Sequence, residues 1–144
     1  MNIVCWKDAI PGKVLADILD LAQECQLPEQ FDTTCDLIYT WMEEGKIVGV
    51  IAFKTVLFSD GQMIPRFEHI FGTEDVRKTI KGVKFLLSVE QQIFEYGFKQ
   101  MWAYVTKERQ AMYDYALKFG FREYANDSKG SFLVKNLDKK KRRF

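Results

Sequence analysis

The sequence predicts an α/β fold in which a mixed, mostly antiparallel sheet is flanked by helices on both faces. Two observations support this prediction. Short runs of β-branched and aromatic residues alternate with segments whose apolar residues recur at helical spacing. Three strand-like runs also lie together in mid-chain, before a helix, a strand, a second helix and a final hairpin. The 144 residues suffice for one domain, which we place at residues 1–137.

The first elements are a short strand and an amphipathic helix. Ile3–Trp6 is an apolar run typical of a strand. Apolar residues recur every three or four positions over residues 13–25, which predicts a helix, and Pro28 closes it. Residues 29–35 form a polar connection to the next element.

A β-meander follows this connection. Asp36–Glu44 and residues 47–58 are rich in β-branched and aromatic side chains, and the short Gly45-Lys46 segment between them suits a tight turn. After a second turn signal, Met63–Phe71 completes the meander as a third antiparallel strand.

The second half of the chain begins with a long helix. We expect it to start with Thr73 or Asp75 as its cap and to run without a break to Gly97. A strand at Met101–Val105 and a second helix over residues 107–119 follow. Gly120 ends that helix in a left-handed conformation. The last predicted element is a hairpin of Phe121–Tyr124 with Ser131–Leu137.

Composition and charge narrow the function classes. The formal net charge of +1 gives no overall attraction to nucleic acid or to a membrane surface. No apolar run approaches the roughly 20 residues that span a bilayer. The odd count of three Cys, without metal-ligand spacing or a signal-peptide pattern, favours reduced thiols in the cytoplasm. The basic tail, residues 138–144, is expected to be solvated, and contact with nucleic acid is the alternative.

The run from Val76 to Tyr124 resembles the acetyl-CoA-binding half of the GNAT superfamily of N-acetyltransferases. In that family the loop after the fourth strand reads Gln or Arg, two residues, Gly, one residue, Gly or Ala. Here Arg77 begins the loop, Gly82 matches its second glycine, and Ile80 stands in place of the first. Such a loop binds pyrophosphate because the first amides of a helix are unpaired and the helix dipole is positive there.

The resemblance implies that acetyl-CoA is the acyl donor. It implies a binding site made by Phe71 at the end of the strand and by loop residues Arg77, Lys78, Thr79, Lys81 and Gly82. Basic side chains near a helix amino terminus oppose the helix dipole, which favours an anion nearby. The alternative is that they form the solvated face of an amphipathic helix.

A second family signature lies in the later helix. Glu108 stands where the family has Asn, Ala111 matches its Ala, and Gly120-Phe121 match its ending. Ala116 stands where many members have a Tyr whose hydroxyl protonates the departing thiolate. The resemblance leaves Tyr113 and Tyr115 as candidate acids, and a packing role remains the alternative for both.

Acetyl transfer to an amine also needs a base that takes a proton from the acceptor. Glu68 and His69 lie on the strand that, by the resemblance, runs beside the acetyl group. Neighbouring strand residues point to opposite faces, so we expect at most one of the two to face the cleft.

Two functions remain open at this point. The first is an N-acetyltransferase that uses acetyl-CoA to acetylate a primary amine of a small molecule or a protein. The second is a catalytically degenerate domain with a structural or interaction role. In the second case the chain resembles acetyltransferase-like proteins of tailed bacteriophages, and other virion proteins would be its partners.

Overall fold

The computed structural model describes residues 2–7, 9–27 and 30–137. Its helices are α1 (Gly12–Glu24), α2 (Glu74–Lys78), α3 (Ile80–Tyr96) and α4 (Gln110–Lys118). Its strands are β1 (Asn2–Lys7), β2 (Leu37–Glu43), β3 (Lys46–Leu57), β4 (Met63–Gly72), β5 (Gln100–Thr106), β6 (Arg122–Asn126) and β7 (Gly130–Asn136). In the described part of the chain, no helix is both long and apolar enough to cross a membrane.

The seven strands form one sheet in the order β1-β2-β3-β4-β5-β7-β6. β1 to β4 make one antiparallel half, in which β2, β3 and β4 are the predicted meander. β5, β7 and β6 make a second antiparallel half. The halves meet where β4 and β5 pair in parallel at Arg66 and Trp102. The predicted mixed, mostly antiparallel sheet is therefore confirmed.

Helices cover both faces of the sheet, because strand residues alternate between two cores. On one face α3 packs through Phe85, Val89 and Ile93, and this core continues under α4. On the other face α1 packs through Ile18 and Leu21 onto β2, β3 and β4. Burying each such side chain stabilises the fold by about 1.5–3 kcal/mol.

The single long helix predicted from Thr73 or Asp75 to Gly97 is wrong, because the chain breaks it at Thr79. That residue is extended, with φ −127° and ψ 175°, and separates α2 from α3. Its Oγ1 accepts a hydrogen bond from Lys81 N at 3.1 Å and so caps α3. A Cβ on Gly82 would lie 2.5 Å from the Val76 carbonyl oxygen, so Gly82 lets the two helices pack closely.

The other predicted elements are present, with shifted ends. The second helix begins at Gln110, three residues later than predicted, and Gly120 follows it with φ +109°. This left-handed residue confirms the predicted helix end, and Phe121 N donates back to Ala116 O at 3.0 Å. Pro28 and the basic tail at 138–144 lie outside the described residues.

Candidate active site

A cleft lies between β4 and β5, just after the point where the two strands pair. Residues 67–70 of β4 and 103–105 of β5 line it from either side. Leu86 of α3 and several residues of α4 complete its walls, and Leu27 lies on the side of α1. The cleft encloses about 110 Å³. A ligand in this position contacts both halves of the sheet.

Four aromatic rings line the cleft one after another, and we call them the ring row. Tyr115 stacks on Phe119 with centroids 6.3 Å apart, and Phe119 stacks on Phe121 at 6.4 Å. Phe121 then meets Phe67 of β4 at 5.9 Å. These rings give the cleft an apolar wall. Electrostatic interactions beside such a wall are stronger than in water.

β4 contains a bulge at Glu68, one of the residues that line the cleft. Ala52 of β3 is opposite His69, and Phe53 is opposite Phe67, so Glu68 is the extra residue between them. The bulge interrupts the alternation of faces, and both residues contribute to the lining of the cleft. The His69 ring stacks on Phe31, and the expectation that at most one of the two side chains faces the cleft stays a prediction. Arg66 Nε donates to Glu68 Oε2 at 2.6 Å.

His69 is only 6% exposed and is held by the segment that follows α1. Its Nε2 accepts a hydrogen bond from Asp32 N at 2.9 Å, and its ring stacks on Phe31 at a centroid distance of 4.8 Å. A general base needs a free lone pair, and the one on Nε2 is already used. The geometry therefore favours an anchoring role for His69.

The two candidate tyrosines of α4 point to different places. Tyr115 lines the cleft, and burial raises the pKa of its hydroxyl, so the hydroxyl stays protonated. Tyr113 is directed to β6, where its Oη donates to Glu123 Oε1 at 2.9 Å, and this bond raises the pKa of Tyr113. Tyr113 is absent from the cleft lining. Ala116 is buried and lines the cleft.

The candidate phosphate loop is largely occupied by its own contacts. Thr79 Oγ1 donates to the Asp75 carbonyl oxygen at 2.6 Å while it accepts from Lys81 N. Lys81 Nζ lies 2.7 Å from the Asp75 carboxylate, which raises the pKa of Lys81. Lys78 pairs with Glu74 at 3.4 Å. A phosphate group must displace some of these contacts to reach the first turn of α3.

Two further predicted residues take positions of their own. Arg77 Nε donates to the Gly72 carbonyl oxygen at 3.2 Å, which ties α2 to the end of β4. The Phe71 side chain is buried in the core beneath α1, where it meets Phe31 edge-on at 6.0 Å. Its backbone, not its ring, is thus the part available to a ligand beside β4.

Arg109 also lines the cleft, although no motif in the sequence pointed to it. It is the residue before α4, at the carboxyl end of β5, and its side chain is exposed. The sequence placed Arg109 inside the predicted second helix, so its location beyond the carboxyl end of β5, where ligand sites often lie in parallel sheets, was not visible.

No family model matches the sequence, and no curated protein sequence matches it. Solved structures with a similar fold are found. Naa50 of Arabidopsis thaliana, in complex with the bisubstrate analogue CoA-Ac-MVNAL, has 15% identity and a TM-score of 0.69, covering 94% of this chain and 99% of that one. The PaiA N-acetyltransferase of Thermoplasma acidophilum, in complex with coenzyme A, has 13% identity, the same TM-score and the same coverage.

The ribosomal-protein-S18-alanine N-acetyltransferase of Escherichia coli is similar over 99% of this chain and 100% of that one, with 12% identity and a TM-score of 0.70. At these identities the similarity concerns the fold. The chain has the GNAT acyl-CoA N-acyltransferase fold, a mixed sheet that is mostly antiparallel.

Proposed function

We propose that this protein is an N-acetyltransferase that transfers the acetyl group of acetyl-CoA to a primary amine. The observation that carries the proposal is the cleft between β4 and β5. Beyond Arg66, one edge of β4 faces this cleft instead of a paired strand. Such an edge offers N–H and C=O groups, and the amides of a pantetheine arm can pair with them as an added strand does.

In this proposal, acetyl-CoA lies along β4 from the bulge at Glu68 to the backbone of Phe71. The ring row supplies the apolar wall beside the pantetheine arm. The diphosphate lies at the first turn of α3, near the amides of Lys81 and Gly82, with Arg77, Lys78 and Thr79 beside it. The presence of Coenzyme A in the Thermoplasma neighbour supports this choice of ligand.

Two side chains handle the protons. The Glu68 carboxylate takes one proton from the acceptor ammonium group, and the nitrogen lone pair then attacks the thioester carbon. When the tetrahedral intermediate collapses, the C–S bond breaks and the thiolate takes the proton of the Tyr115 hydroxyl. The nitrogen then gives up its second proton, which restores the Tyr115 hydroxyl, and Glu68 releases its proton to water. Tyr115 suits this role because burial raises its pKa and keeps the proton on oxygen. Tyr113 would act only if it left Glu123.

A non-catalytic role is the second candidate, and one observation favours it. The Asp75 carboxylate and carbonyl oxygen hold Lys81 and Thr79, so the phosphate loop is already filled by protein groups. An acetyltransferase-like domain used for binding other proteins, for example in a bacteriophage virion, would tolerate this. It would also tolerate Ala116 where many acetyltransferases have Tyr.

Calorimetric titration with acetyl-CoA separates the two candidates. We expect micromolar binding by the wild-type protein, and loss of binding by Ala103→Phe, because the larger ring fills the cleft from β5. Ala125→Phe, on the exposed strand β6, is the matched control and should bind normally. Release of free thiol with a panel of primary amines then tests transfer. Absence of binding at millimolar acetyl-CoA would refute the enzyme.

A further inference from the structure

A buried ion pair lies directly behind the ring row. Lys135 of β7 pairs with Glu90 of α3, and their side chains are only 5% and 11% exposed. Lys135 Nζ also donates to the Phe119 carbonyl oxygen at 2.7 Å. The same ammonium lies 3.8 Å from the centroid of the Phe119 ring. Lys135 therefore contacts both the backbone and the ring of one cleft residue.

Stability alone does not explain this pair. Removing two charges from water is costly, and apolar residues of similar volume often replace a buried ion pair without loss of stability. An apolar side chain at position 135 would, however, give the Phe119 carbonyl no donor. The last carbonyls of a helix lack partners within it, and Phe119 directly follows α4. The ammonium supplies that partner.

Gly120, next to Phe119, leaves space for the Lys135 side chain. Gly120 has φ +109°, and a Cβ there would lie 3.1 Å from Lys135 Cε. The residue that ends α4 therefore also leaves room for the lysine to reach Phe119. From Phe119 the contacts continue through the ring row, to Tyr115 on one side and to Phe121 on the other.

We propose that Lys135, held by Glu90, is a positioning residue: it fixes the end of α4 and thereby the ring row against the cleft. The effect on catalysis rests on the proposed function, because the ring row includes Tyr115, the proposed proton donor. Lys135 acts through Phe119 and touches no reacting group. Its structural consequence, an anchored α4, does not depend on the reaction.

The test is the double variant Glu90→Leu/Lys135→Met, which removes both charges and keeps the volume. Lys135→Met alone would leave the Glu90 carboxylate buried without its cation, so loss of folding could hide the effect. We expect the double variant to unfold within about 4 °C of the wild type. We also expect faster amide hydrogen exchange in residues 110–118, with exchange in α3 unchanged.

With acetyl-CoA and an amine, kcat/KM of the double variant should fall about 10- to 100-fold, as small displacements of catalytic groups do. Lys118→Met is the matched control, because Lys118 is exposed at the end of the same helix, and it should behave as wild type. Wild-type exchange in α4 together with wild-type kcat and KM would overturn the inference.

Hydrogen exchange is measured without any ligand, so it separates the two proposals. Faster exchange in α4 supports the anchoring role even if the wild-type protein transfers no acetyl group. In that case only the enzymatic proposal fails. Unchanged exchange in an active enzyme, with full activity of the double variant, removes the positioning role and leaves the enzyme.

Discussion

Glu68 and His69 are neighbours in the chain, yet their surroundings suit them to different tasks. Glu68 is the bulge residue of β4 and has one carboxylate oxygen on Arg66. His69 Nε2 accepts a hydrogen bond from Asp32 N, and the His69 ring stacks on Phe31. The segment after α1 is therefore fastened to β4 beside the proposed base.

Glu68→Gln should lower kcat by about 100-fold or more, because the amide cannot accept the proton, while affinity for acetyl-CoA stays unchanged. Steady-state thiol release and calorimetry measure the two quantities separately. Glu95→Gln, an exposed substitution on α3, is the control. A Glu68→Gln enzyme with the wild-type rate would exclude Glu68 as the base.

Tyr115→Phe and Tyr113→Phe are a matched pair, since each removes one hydroxyl from the same helix. We expect Tyr115→Phe to lower kcat at least about tenfold and Tyr113→Phe to change it little. Because the pKa of Tyr115 is raised, its hydroxyl loses its proton only above the ordinary value of about 10. The wild-type rate should thus fall on that alkaline side, and a pH–rate profile of Tyr115→Phe should lack this limb. The reverse ranking of the two variants would contradict the assignment.

The break between α2 and α3 determines which contacts the candidate phosphate loop makes. The short helix α2 brings Asp75 to Thr79 and Lys81, so an acidic residue stands where the proposed ligand brings phosphates. Charge repulsion and competition for Lys81 both act against binding. The loop that resembles a phosphate site is thus one in which binding must displace an internal contact.

Asp75→Asn should therefore increase affinity for acetyl-CoA by about two- to fivefold, the range expected for an exposed charge pair. The difference from wild type should shrink as salt is raised, because exposed charges are screened. Calorimetry at low and high ionic strength measures both effects. Asp17→Asn, in an exposed pair on α1, is the control. Weaker binding by Asp75→Asn would show that the carboxylate supports the loop instead of opposing the ligand.

Most elements followed from sequence because their patterns are local. Alternating β-branched residues give the meander, and the left-handed Gly120 marks the end of α4. The bulge at Glu68 depends on the pairing of β4 with the separate strand β3. The break at Thr79 depends on contacts within residues 75–82, such as Gly82 against the Val76 carbonyl, and a pattern of apolar residues does not record them. The burial of Lys135 was also not predictable from the sequence, since lysine in a strand is ordinarily expected to be exposed.

Burial raises the pKa of all three thiols and keeps them protonated at neutral pH. Burial, with the Asp32 and Glu68 carboxylates adding to it, raises the pKa of Cys35 to about 12. Burial also raises the pKa of the exposed Cys5 and of Cys25, whose Sγ donates to the Gly72 carbonyl oxygen at 3.1 Å. The thiolate is the reactive form of cysteine, and the pKa of all three thiols is raised. The order in which they are alkylated should therefore follow their exposure to solvent.

We expect iodoacetamide at neutral pH to modify Cys5 first and Cys35 only when the fold opens. Mass spectrometry of labelled peptides over a urea series measures this order. Modification of Cys35 should follow the global unfolding transition, because the residue lies in the core beneath α1. Labelling of Cys35 at the rate of Cys5 in native buffer would contradict a closed core on that face.

The single parallel contact at Arg66 and Trp102 has a mechanical consequence. Each half of the sheet is held together by its own ladder of antiparallel pairs, whereas the two halves share this one backbone junction. Separating the two halves would break this one backbone pairing and the side-chain contacts of the core that spans both halves. Separation at any other strand boundary would break a ladder of several pairs.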